Sequence, residues 1–420
     1  MNIKKIIELD ISDQLKDFKS DFVHTKNEIY LNGNSLGKLP KKSIIKIKDS
    51  AENEWGKRLV RSWNEKWLDL SVRLEKKLGL LLGVKNTEIK IGDSTSIKLY
   101  QIIHALLSSN LFRKNLLTDS LNFPSDNYIL EGLASQFNIT KPVIVQYSQN
   151  IFSDIVLLKK TIKTNPGIIC LSLVSYKSSW MYPMKELNDF AKNNKSIIVW
   201  DLSHAVGVVD INLKKTNTLI AIGCTYKFLN GGPGSPGFLY IHSSLQPKLN
   251  NPIQGWFGHK LPFLFSDLYH PANNIKKFDI GTPGILSMVG MEIGLDLALK
   301  ATTKLIRKKS VSQSELLLSL IRRKILPLDF KIESPLKSSE RGSHITISHP
   351  ESLKICKALQ NGSNKFPKII TDFRPPKYIR LGISPLYNSY KDLFITVMSL
   401  HEIVKTKSYK KIKNNSHGVT

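Results

Sequence analysis

From residue 88 onward, short apolar runs rich in β-branched residues alternate with longer segments whose apolar positions recur every three or four residues. The runs at 88–92 (EIKIG), 116–123 (LLTDSLNF), 142–147 (PVIVQY), 167–174 (GIICLSLV), 196–200 (SIIVW), 219–224 (LIAIGC) and 237–242 (GFLYIH) predict strands. Helical periodicity fills most of the gaps, at 96–107, 126–136, 151–162 and 184–194. Strands and helices in strict alternation predict an α/β domain, a mainly parallel sheet of these seven strands with helices on both faces.

The flanks read differently. Residues 1–30 form a short helix and an approach segment ending in EIYLNG, and the turn-rich loop Asn32-Gly33-Asn34-Ser35-Leu36-Gly37 is closed by Pro40. A helix is predicted through 41–60 with Ile44, Ile45 and Ile47 as its apolar face, followed by Trp63 and Trp67 at i,i+4 spacing, a pair that fits a core face. Residues 250–290 carry Gly, Pro and large aromatics, the composition of ordered loops. One long helical pattern then runs from Met288 to Lys309, and the remainder mixes helices with the strands HITIS, KIITDF and YIRLGIS. The expected organisation is an amino-terminal segment (1–50) that joins the small domain, a large domain (51–290), a smaller α+β domain (291–405) and a basic tail (406–420) of disordered composition.

Composition narrows the classes. Hydrophobic residues make up 41% and charged residues 23% of the 420, as in ordinary globular proteins. No apolar run approaches the roughly 20 residues of a membrane span, and MNIKKIIELD lacks the apolar core of a signal peptide, so a cytoplasmic protein without a membrane partner is expected. Three cysteines without paired spacing argue against a disulfide framework or a zinc site, and no metal is expected. The net charge of +27 comes mostly from lysines spread along the chain, with no nucleic-acid-binding motif beside them, so it reads as a solvated surface.

The chemistry centres on two stretches. The strand at 196–200 ends in Asp201, a carboxylate at the carboxyl end of a buried strand where α/β sheets bind ligands, with His204 three residues on. The strand at 219–224 delivers Tyr226 and Lys227 into the glycine-rich turn NGGPGSPG. A lysine leaving a buried strand there suits imine chemistry, because partial burial favours its nucleophilic form. Pyridoxal 5'-phosphate (PLP) needs both groups, the lysine for covalent attachment and the carboxylate to pair with its ring nitrogen. Gly92-Asp93-Ser94-Thr95-Ser96, between a strand and a helix, offers phosphate donors or a plain helix cap. Phe123, in Phe123-Pro124-Ser125-Asp126, suits stacking on a cofactor or core packing, and Ser172 points its hydroxyl to the same sheet edge. Arg380, inside an apolar strand, requires a carboxylate partner, internal or from a substrate.

The stretches YLNGNSLGKLP, WGKRLVRSWNEKW, GDSTSIKLY, FPSDNYILEG, WDLSHAVG, GCTYKFLNGGPGSPGF, GWFGHK, GTPGILSM, RGSH and DFRPPKYIRLGISPLYNSYKD together resemble, in order, the motif series of the kynureninase family. The resemblance covers residues 30 to 395. It implies the aspartate-aminotransferase fold (fold type I), PLP, homodimers with shared active sites, and hydrolysis of L-kynurenine to anthranilate and L-alanine. Carried over, it implies Lys227 as the covalent anchor, Asp201 at the ring nitrogen, and Thr95, Ser96 and Tyr226 near the phosphate. Phe123 then faces the ring with Pro124, Ser125 and Asp126 nearby, and Ser172 and His204 line its other edge. Tyr226 is the expected acid-base group. Trp256 and Thr282 are expected from the partner subunit, and Arg380 at the substrate carboxylate with Asn34, Ser35 and Trp63 beside the substrate. Asn32 replaces an Asp common in the family, while Trp63 and Thr282 resemble the bacterial pattern that favours kynurenine over its 3-hydroxy analogue. A cysteine desulfurase, the rival on the same fold, would need a reactive cysteine in a loop, which none of the three settings supplies.

Overall fold

The computed structural model describes residues 3–147 and 151–412. The amino-terminal segment forms α1 (Ile3–Ile11), β1 (Glu28–Tyr30) and α2 (Lys41–Asp49). The large domain continues with α3 (Leu68–Leu82), β2 (Ile89–Ile91), α4 (Thr95–Ser109), β3 (Leu116–Asp119), α5 (Pro124–Gln136), β4 (Val143–Val145), α6 (Ile155–Thr164), β5 (Ile168–Ser172), α7 (Met184–Asn193), β6 (Ile197–Asp201), β7 (Ile220–Cys224), β8 (Gly237–Ile241) and α8 (Ile285–Ala301). The small domain holds α9 (Thr303–Lys324), β9 (Lys331–Ile332), β10 (His344–Ser348), α10 (Ser352–Asn361), β11 (Lys368–Ile370), β12 (Asp372–Arg374), β13 (Tyr378–Gly382) and α11 (Tyr390–Lys405).

The seven expected strands form one sheet in the order β2-β8-β7-β6-β5-β3-β4. Only β8 runs against its neighbours. Alternate residues of the central strands enter different cores: Ile169, Leu171, Ile198 and Trp200 on one face, Ile168, Cys170, Ile197 and Val199 on the other. Both faces are covered, which is why these strands read as continuous apolar runs. The parallel strands end at one edge, and Ser172 and Asp201 sit side by side there in register.

The small domain packs a four-stranded sheet, β12-β13-β10-β9, with a two-stranded parallel pair β1-β11 around a separate core containing Ile6, Ile29, Leu31, Leu317, Ile345, Ile379 and Leu400. Four expectations change. The helix predicted from Met288 to Lys309 is two helices, broken where Thr302 takes a positive φ of 62° and its hydroxyl caps α9 through Leu305 N. The boundary expected at 291 falls inside α8, whose buried residues from Met288 to Ala301 belong to the large core. The helix at 41–60 is α-helical only to Asp49, continues as a π-helix over Ser50–Arg58 and stops at Leu59, also at positive φ; Ile44 and Ile45 point outward rather than to a core. Part of the basic tail is ordered, with Ser408–Lys411 in a 3-10 turn and Tyr409 buried against His349, while residues 413–420 lie outside the described residues.

Candidate active site

The lysine turn is built by close approach. Gly37 N donates to Tyr226 O at 2.8 Å, and a Cβ on Gly37 would stand 2.2 Å from Lys227 O, so the loop Asn32–Gly37 lies directly on the turn. Lys227 Nζ reaches His204 Nε2 at 2.9 Å and lies 5.9 Å from the centre of the Phe123 ring. Burial, then Lys227 and Arg380, push His204 well below the usual imidazole range. Its neutral ring carries one N–H; Nε2 meets Lys227 Nζ, and Nδ1 is buried without a partner.

Two carboxylates face this lysine from the sheet edge. Asp201 Oδ1 accepts from Ser203 N at 2.8 Å and Ser203 Oγ at 2.6 Å. Burial pushes Asp201 upward against the pull of Lys227 and the hydrogen bonds from Ser203. On the first turn of α5, Asp126 is pushed well above the carboxylate range by burial and by the charge of Asp201, and its Oδ2 has no partner. Two buried carboxyl groups beside one lysine, one of them with an oxygen lacking a donor, are set to accept from, and balance, a cationic ring.

The phosphate end is formed by two helix starts. Ser94 caps α4 by accepting from Ile97 N, and the Ser96 and Ser125 hydroxyls lie 3.2 Å apart, joining the first turns of α4 and α5. Pro124 opens α5 where no N–H is needed. A Cβ on Gly237 would lie 2.8 Å from Thr95 N, so the start of β8 sets how closely α4 approaches the sheet. An anion between two helix starts lined with hydroxyls is well placed. The two buried acids, the lysine and this cradle together fit PLP. Tyr226 is half-buried, with its phenol pushed upward by burial and then by Cys224, so it stays protonated and able to donate.

Arg380 finds an internal carboxylate. Its Nε donates to Asp372 Oδ2 at 2.5 Å and its Nη2 to the same oxygen, while Nη1 donates to Tyr176 O at 2.6 Å and Nη2 to Ser35 Oγ at 3.1 Å. Asn34 is fully buried with neither side-chain atom partnered. Thus Thr95, Ser96, Phe123, Ser125, Asp126, Ser172, Asp201, His204, Tyr226 and Lys227 gather at one sheet edge, and the small domain brings Arg380 and Ser35 over it. Trp63 and Trp256 make their ring contacts elsewhere, around Phe257, and Thr282 is exposed. Sequence reasoning missed Asn122, whose Oδ1 accepts from Ser172 at 2.6 Å, and the Asp372 partner. Asp372 was within reach, because a hairpin drawn between KIITDF and YIRLGIS sets it opposite Arg380. All three cysteines are buried and free, so the desulfurase requirement is not met.

Comparisons with known proteins agree with this geometry. The class-V aminotransferase family matches residues 30–351 and the kynureninase C-terminal domain matches residues 306–400. The chain is 32% identical over 406 residues to the kynureninase of Pseudomonas fluorescens, covering 96% of this chain and 95% of that one. It is 30% identical over 412 residues to the kynureninase of Burkholderia pseudomallei (strain K96243), covering 97% and 96%. Among solved structures, the apo cysteine desulfurase of Thermococcus onnurineus NA1 superposes with a TM-score of 0.79 at 17% identity, covering 93% of this chain and 98% of that one. The cystine C–S lyase C-DES, with glycine covalently linked to its PLP cofactor, gives 0.79 at 16%, covering 91% and 99%; both likenesses show the fold. With the lysine, the paired acids and the phosphate cradle in place, the chain belongs to the kynureninase family of PLP-dependent enzymes with the class-V aminotransferase fold.

Proposed function

We propose that this enzyme hydrolyses the Cβ–Cγ bond of L-kynurenine, releasing anthranilate and L-alanine, and accepts 3-hydroxy-L-kynurenine as a second substrate. The observation that carries the reading is the Lys227–His204 contact set against the buried acids Asp201 and Asp126, the second with an unpartnered oxygen. When bound, PLP supplies the electron sink that makes the α-proton acidic. Lys227 would be the cofactor's covalent anchor and, when free, the base that moves the α-proton. Asp201 would hold the positive charge at the cofactor's ring nitrogen, with its own charge felt by the neighbouring Asp126. Ser96, Thr95 and Ser125 bind the phosphate, and Phe123 bounds the ring. Tyr226 keeps its proton at neutral pH and donates it during carbon–carbon cleavage. Arg380, four of whose five N–H groups are engaged internally, offers its remaining Nη1 hydrogen to the substrate carboxylate.

The working form is a cytoplasmic homodimer with shared sites, serving tryptophan breakdown or NAD synthesis, with neither nucleic acid nor membrane as partner. Support for the dimer comes from the exposed apolar group Phe263, Leu264, Phe265 and Leu268 beside Trp256, and from exposed Ile44 and Ile45. This face would carry Trp256 and Thr282 to a second subunit, with Trp63 packed alongside. Among the described residues no helix is long and apolar enough to cross a membrane.

The test adds L-kynurenine to protein reconstituted with PLP and follows anthranilate fluorescence, with 3-hydroxy-L-kynurenine run in parallel. Anthranilate from a yellow enzyme is the expected result. A protein that takes up no PLP, or a yellow one that releases no anthranilate, overturns the reading.

A further inference from the structure

His344 of the RGSH motif has no role in the chemistry above, yet few polar side chains in the molecule are more deeply enclosed. It is fully buried, and neither ring nitrogen makes a well-formed hydrogen bond, the Tyr176 carbonyl acting on the ring only weakly. Leaving an imidazole so poorly partnered in the interior is costly, and such groups are retained where a ligand completes them. Its position is fixed by the sheet. His344 pairs with Gly382, and Thr346, on the same strand face, pairs with Arg380, so His344 and Arg380 are diagonal neighbours on one face. The other side of the ring approaches the lysine: the His344 and His204 ring centres are 5.8 Å apart, and His204 touches Lys227. Lys227, His204, His344 and Arg380 therefore form a row from the covalent anchor to the guanidinium. Burial, then Arg380 and Lys227, push the His344 imidazole well below its usual range, while the nearby Tyr176 carbonyl pulls the other way. The ring is thus neutral, with one N–H to donate.

A substrate amino-acid head spans the same row, amine at the lysine and carboxylate at the arginine. Arg380 can give that carboxylate only one further N–H, because Asp372, Tyr176 and Ser35 take the others. Two carboxylate oxygens need more than one donor. Asn34, unpartnered and placed where a Cβ on Gly382 would collide with it, lies over the same strand face as His344 and Arg380. We infer that His344 is a substrate-binding residue that donates its ring N–H to the α-carboxylate, completing with Asn34 a site that Arg380 begins. The inference rests on the proposed reading of Arg380 as the carboxylate site.

The test measures equilibrium binding to the PLP-loaded enzyme through the change in its visible absorbance. Two probes are used: L-alanine, which has the carboxylate, and kynuramine, the amine left when kynurenine loses its carboxylate. His344→Phe should weaken L-alanine by about tenfold, the scale of one lost bond to a charged group, and leave kynuramine unchanged. His344→Gln, which restores an N–H donor, should recover most of the loss. Equal weakening of both probes, or of neither, overturns the inference; should the Phe variant fail to fold, His344→Gln and His344→Ala are compared by the same criterion. If wild-type enzyme discriminates between the probes through Arg380 but not through His344, the inference alone fails. If wild-type enzyme responds to neither probe, the functional reading itself has failed.

Discussion

Two clusters of buried charge lie at the same sheet edge and are built on opposite principles. Beneath the cradle, Lys90 Nζ contacts Glu75 Oε1 and Asp279 Oδ2, both at 2.8 Å, and Lys98 Nζ contacts Asp93 Oδ2 at 3.0 Å and Phe278 O at 3.1 Å. Burial alone would lower Lys90, but Asp279 and Glu75 outweigh it and push the ammonium upward. Around Lys227, by contrast, Asp126 keeps an orphan oxygen and His204 an orphan nitrogen. The first cluster is complete without any ligand and serves to hold α3, β2, α4 and the segment before Thr282 together. The second is incomplete, and what it lacks matches what PLP carries. Residue type does not separate structural from functional charge in this protein; the state of its partners does.

Substitutions can break this contrast. The largest effect is expected of Lys227→Ala, which should lower anthranilate formation by at least about four orders of magnitude while leaving the urea midpoint near wild type, since the close contact of its Nζ is with the neutral His204 ring. Lys90→Met should do the reverse. It strands Glu75 and Asp279 and should cost about 3–5 kcal/mol in urea unfolding, whereas the folded fraction still turns yellow with PLP. If Lys90→Met left stability intact, the distinction between the clusters would be lost.

Asp119 is an intermediate case, satisfied by hydrogen bonds but by no cation. Tyr147, Tyr182 and Leu121 N all donate to it, and burial pushes it up to about 6. A folded carboxyl above its unfolded value favours folding at acid pH, and that contribution is lost as pH rises through about 6. Asp119→Asn should therefore flatten the change in unfolding free energy between about pH 4 and pH 7 by up to roughly 3 kcal/mol. An unchanged slope would show that Asp119 ionises freely. The smallest change is expected of Asp126→Asn in cofactor-free protein, within about 1 kcal/mol of wild type, because a carboxyl already pushed toward neutrality loses little on becoming an amide. A loss several times larger would place Asp126 with Glu75 as a structural acid.

The large sheet was legible because each strand is buried on both faces and announces itself as an apolar run, and because Asp201 and Lys227 follow two such runs directly. What stayed hidden depends on partners distant in sequence. The break at Thr302 has no proline or glycine to mark it; a threonine forced to positive φ does not look different from one inside a helix. Ile44 and Ile45 have a helical apolar period, and periodicity alone does not tell a core from a surface offered to another chain. His344 reads as one more residue of a buried strand until its neighbours across the sheet are known.

The loop at Asn32–Gly37 lies on the Lys227 turn and sends Ser35 to Arg380, 345 residues further along. Such contacts close only after almost the whole polypeptide exists, and loop closure over that span is among the slower events of folding. During synthesis the early loop must therefore wait, unpaired, while the sheet forms behind it. A chain that stops short of the last domain would hold a nearly complete anchor for the cofactor and no place for the substrate's acid group, so competence to bind substrate arrives last, as a signal that the molecule is finished.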